Sequence, residues 1–146
     1  MSGVAAYDSW EHLQKVITVE SFEVVKNYEM ALRFDDLSQL KDGWFEGMGY
    51  ALNQEKLSLV AEKLVGAYPD RLLLPAIFPT QEGNLLLEWD AVGVPSLDIQ
   101  LDSLHSSYHA FDAAGGDVER DFDLANDKEW GEMYSFLGEN IKVQSA

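Results

Sequence analysis

The sequence predicts an α+β fold: an antiparallel four-stranded meander over about residues 71–111, packed by helices from the N-terminal half and by a C-terminal helix. Three observations predict it. Between Arg71 and Phe111, short apolar runs alternate with polar residues and are separated by turn formers, as in strands with one face on a core. From Leu57 to Tyr68, apolar residues recur at spacings of three and four, as in a helix with one buried side. A chain of 146 residues with 47% hydrophobic content can bury one core of ordinary size, and no linker divides it, so one domain is expected.

Taken in order, Asp8 and Ser9 precede Trp10, Leu13 and Ile17, which share one side of a short capped helix. From Lys15 to Val25 the β-branched residues favour a strand as much as a helix. Phe22 to Gln39 reads as mostly helical, with a break expected near Asp35-Asp36. Lys41 to Gly49 holds three glycines and is a loop, with Trp44 and Phe45 expected to anchor it to the core. Asn53 then caps a helix over Gln54–Ala67 whose stripe is Leu57, Val60, Ala61, Leu64 and Tyr68, and Pro69 ends it.

The meander begins at Arg71–Phe78, where Pro75 places the strand at an edge or a bulge because proline cannot donate to a ladder. Pro79 to Gly83 turns the chain. Leu85, Leu87 and Trp89 then point one way and Leu86 and Glu88 the other. Leu97, Ile99 and Leu101 alternate with Asp98, Gln100 and Asp102, and Leu104–Phe111 is the fourth strand. Ala113 to Gly116 reads as a flexible connection opening the acidic run 117–123. Asp127 caps a final helix with Trp130, Met133, Tyr134, Leu137 and Ile141 on its apolar side.

Two pieces of this chain, Asp42-Gly43-Trp44-Phe45-Glu46-Gly47 and Phe78-Pro79-Thr80-Gln81-Glu82-Gly83 through Leu87-Glu88-Trp89, carry D-G-W-x-x-G and P-T-x-E-G followed by E-W. In these it resembles a group of small bacterial proteins to which no settled activity attaches. The resemblance spans roughly Leu37 to Phe111. It implies a bacterial, cytoplasmic α+β protein and carries over no catalytic residue.

Cysteine is absent, which excludes disulfides, thiol nucleophiles and Cys-ligated zinc. No basic leader or apolar run of membrane length stands in the sequence, so a cytoplasmic location without membrane contact is expected. Lys and Arg number 10 against 26 Asp and Glu, a formal charge of -16 that repels nucleic acid.

The constellations with chemical potential are few. His105 and His109 share a strand face with Ser107 between them, and Asp98 or Asp102 is expected nearby; that is half a metal site, and two surface histidines account for it as well. Glu82 and Glu88 flank a turn and a strand, but with 26 acids a chance pair is expected. Gly43, Gly47 and Gly49 lack the Lys and Ser or Thr that a phosphate loop needs after its last glycine. Ser9 and His12 have no third partner for a triad. Trp44, Glu82 and Trp89 would line a pocket in a small-molecule binder or hydrolase, although tryptophans of this kind are more often core.

Charge distribution is the remaining signal. Residues 81–132 hold 13 acids and 2 bases, whereas residues 1–80 hold 12 and 7. The expectation is a non-enzymatic domain, requiring no cofactor, whose acidic face binds a protein with a basic surface. Inhibitor, antitoxin and immunity-type proteins act in this way, some by mimicking nucleic acid. Asp98, Asp102, Asp112, Asp117, Glu119, Asp121 and Asp123 are the expected contact residues.

Overall fold

A computed structural model describes residues 22–141, with side chains from residue 27 onward. The elements run α1 (Phe22–Ser38), α2 (Gln54–Ala67), β1 (Ala76–Pro79), β2 (Leu85–Glu88), β3 (Ser96–Ile99), β4 (His105–Phe111), β5 (Asp117–Asp123) and α3 (Asp127–Asn140). The expected helix over Asp8–Ile17, and most of the ambiguous stretch after it, lie outside the described residues. From Phe22 the chain is helical, and α1 passes Asp35-Asp36 without the expected break.

The sheet has five strands in the order β1-β2-β3-β4-β5, each antiparallel to its neighbour. This corrects the expected count of four. The segment expected to be a flexible connection is a tight turn, and the acidic run behind it is β5, pairing along its whole length from Asp117 opposite Phe111 to Asp123 opposite His105. The first strand is also shorter than expected: Arg71 to Pro75 precede it.

Alternation divides the sheet into two faces. Ile77, Leu85, Leu87, Leu97, Ile99, Tyr108, Ala110 and Phe122 are buried on the inner face, together with Met30, Phe34 and Leu37 of α1, the α2 stripe and Trp130, Met133 and Leu137 of α3. Those three α3 residues recur every three or four positions, so one side of the helix lies on the sheet. Tyr134 donates its hydroxyl to Lys63 O at 3.0 Å, and its ring meets Tyr68 edge-on, which ties α3 to α2.

The caps show local sequence acting directly. Asn53 accepts from the backbone N–H of Lys56 and starts α2 as expected. At α3 the cap is Asn126, which accepts from Lys128 N, so Asp127 is the first helical residue rather than the cap. There its charge still favours the helix N-terminus. The glycine loop holds Gly43, Gly47 and Gly49 at positive φ, and a Cβ on Gly49 would meet the Trp44 indole nitrogen at 2.8 Å. Trp44 is half-buried and donates to Tyr50 O, which closes the loop on itself, and Phe45 is exposed; neither is among the residues packed on the core, so the expected anchoring by this pair is not what holds the loop.

Candidate functional site: the outer sheet face

The outer face carries the residues that alternation excludes from the core. Across the sheet, one row reads Phe78, Leu86, Asp98, Ser107, Asp121; the next reads Ala76, Glu88, Ser96, His109, Glu119. His105 beside Asp123 and Phe111 beside Asp117 extend the face at its two ends. The three helices contribute to the core on the opposite side, and Asp98, Asp117, Glu119, Asp121 and Asp123 are all exposed.

Strand spacing sets the geometry. Side chains two apart stand about 6.8 Å from one another, so the four carboxylates of β5 form a line of about 20 Å. Among the described residues, their charged neighbours of opposite kind are imidazoles: His109 Nε2 lies 3.0 Å from Asp117 Oδ1, and His105 Nε2 lies 3.7 Å from Asp121 Oδ2. Neither imidazole carries charge unless protonated. Arg120, the cation within β5, faces inward, with its guanidinium 5.0 Å from the centre of the Phe122 ring and 5.3 Å from that of Phe136.

Five of the seven expected contact residues therefore share one face, and two do not. Asp112 sits in the β4–β5 turn, where Oδ1 accepts from Ala114 N and Gly116 N, so its carboxylate organises the turn. Asp102 lies in the β3–β4 turn at the other end of the sheet and accepts from Ser103 N. Asp123 is on the face but also accepts from Ala125 N. Asp98 lies between Leu86 and Ser107. Partial burial raises its carboxyl above the usual carboxylate range, and the Glu82 carboxylate adds to the shift.

The histidines lie on the outer face as a strand reading requires, but their acidic neighbours are Asp121 and Asp117 rather than Asp98 or Asp102. Among the described residues no three His, Cys, Asp or Glu side chains converge as a metal would need. The Trp44, Glu82 and Trp89 grouping does not converge either. Trp89 is buried, its indole N–H committed to Leu73 O at 2.9 Å and Tyr68 Oη at 3.0 Å. Glu82 instead borders a shallow polar recess of about 260 Å³ with Tyr50, Asn84, Gln100 and Asp102.

The apolar members of the face, Phe78 and Phe111 above all, have no place in the expected contact set. Period-two alternation in β1 and β4 would have found them. Comparison with protein-family models, curated proteins and solved structures finds no match.

Proposed function

We propose that the protein acts by binding another protein through the outer face of its sheet, and that the partner presents Lys and Arg. The observation that carries this is the gathering of Asp98, Asp117, Glu119, Asp121 and Asp123 on one open face that no Lys or Arg side chain pairs with among the described residues. Carboxylates so placed attract a basic surface over distances of about a Debye length, roughly 10 Å at 0.1 M salt. Phe78, Leu86 and Phe111 supply apolar contact at the margins, where association gains area as well as charge complementarity.

The finer reading is a non-enzymatic cytoplasmic inhibitor, antitoxin or immunity-type protein of bacteria that occupies a groove built for a phosphate backbone. Nucleic acid itself is repelled by the same charge. The test is a fourfold reversal of Asp117, Glu119, Asp121 and Asp123 to Lys. The wild-type chain should retain a basic partner from lysate at low salt, release it at high salt, and displace it from DNA; the reversed chain should do none of these. Equal retention by both chains would remove this face from the interface.

A further inference from the structure

The two edges of the sheet are finished differently. Thr80 N bonds to Asn84 O, and since hydrogen-bonded pairs alternate along an antiparallel ladder, the odd-numbered residues of β1 turn their backbone groups away from β2. That edge is partly blocked: Arg33 Nε donates to Ile77 O at 2.7 Å and Pro79 has no N–H to offer, which leaves the Ile77 N–H and the Pro79 carbonyl unbonded among the described residues. At the opposite edge, Asp112 N bonds to Gly116 O and Leu124 N to Leu104 O, so the even-numbered residues of β5 bond to β4 and the odd-numbered ones face outward. Asp123 is capped there, its N–H on Glu129 Oε1 and its carbonyl on Asn126 N. Among the described residues, nothing bonds the outward N–H and C=O of Asp117, Glu119 and Asp121.

We propose that this free edge of β5 receives an extended basic segment of the partner protein as a sixth strand. The proposal rests on the protein-binding reading above and adds its mode. An incoming strand would exchange main-chain bonds with the outward groups of Asp117, Glu119 and Asp121. Its outer-face side chains would lie about 4.5–5.5 Å, Cβ to Cβ, from those carboxylates, within reach of Lys or Arg. A second copy of this chain is disfavoured, because pairing two β5 edges would set acid against acid. The acids recur at every second residue of β5, so the selected segment is one of alternating cations.

The probe is a capped heptapeptide of alternating Lys and Thr, added to the isotopically labelled full chain. The free protein should exchange the amide protons of Asp117, Glu119 and Asp121 quickly, and peptide should slow them. Methylating the peptide's Lys amide nitrogens keeps every charge but removes the main-chain donors, and should weaken binding about tenfold. Glu119→Gln should weaken it about threefold through lost charge. Glu119→Pro, which also deletes an outward N–H that β4 does not use, should abolish protection. Equal affinity for the methylated and unmethylated peptides overturns strand addition while leaving the acidic face as a binding surface. Absence of binding by either peptide at low salt overturns both readings. Edge amides already protected in the free chain, or dimerisation that protects them, also overturns the proposal, since the edge would then have another occupant.

Discussion

Two adjacent residues in the β2–β3 turn show how opposite substitutions follow from one backbone. Gly93 has φ +84°, accepts from Phe111 N through its carbonyl, and would place a Cβ 2.3 Å from Phe111 O. Gly93→Ala therefore combines left-handed strain with a backbone collision and should cost about 3 kcal/mol or more in urea unfolding. Val94 has φ +49° although it is β-branched, and the residue is 64% exposed, so it forgoes burial while holding a conformation that branching opposes. Val94→Gly should raise stability by about 1 kcal/mol by the same assay, and an unchanged midpoint would mean the turn carries no such strain. Asp98 gives a prediction in pH. Its folded pKa lies above the ordinary 3.8, so the folded state binds the proton more tightly than the unfolded state does. Stability then falls as pH rises from the unfolded value through the raised folded one, and stays lowered above it. Asp98→Asn should be more stable than wild type at pH 7, with the difference closing below about pH 4, where both forms of Asp98 are protonated.

Among the elements, α2 was legible to the residue, because cap, stripe and terminating proline agree: Asn53, then Leu57 through Tyr68, then Pro69. Pro75 pointed to an edge strand, and β1 is one, although it is Pro79 that occupies an outward position on the ladder. β5 was not legible. Its alternation is present, with Asp117, Glu119, Asp121 and Asp123 on one face and Val118 and Phe122 on the other, but Arg120 stands at an inner position where an apolar residue is expected. The structure resolves this by laying the Arg120 guanidinium over the Phe122 and Phe136 rings, a tertiary contact that local pattern does not contain. The acidic site was therefore legible as a composition and a set of residues, but its geometry was not, since a connection and a strand place carboxylates differently. The junction of β5 with α3 depends on Asn126, which caps the helix, and on Glu129, which reaches back to Asp123 N. Asn126→Ala should cost about 1 kcal/mol, measured by chemical denaturation. Loss of Glu129 as well should speed exchange of the Asp123 amide well before global unfolding.

At the scale of the whole molecule, a formal charge of -16 on 146 residues means that folding gathers like charges, and β5 concentrates four of them on one line. The same arrangement that attracts a basic partner therefore opposes the folded state. Salt separates the two effects because it screens both but with opposite consequences. Raising ionic strength should stabilise the wild-type chain against denaturant, as repulsion along β5 weakens, and should at the same time slow association with a basic partner. Replacing Asp117, Glu119, Asp121 and Asp123 by their amides removes the cause of both trends. The neutralised chain should be more stable than wild type at low salt, should gain less from added salt, and should lose most of its salt-dependent association rate. Exposed like-charge pairs in sheets are each worth a few tenths of a kcal/mol, so the expected gain is about 1 kcal/mol in total. Neutralisation that destabilised the chain at low salt would show that these carboxylates hold the fold through their neighbours, His105 and His109 first among them, rather than being kept at a cost to stability for a surface that meets another protein.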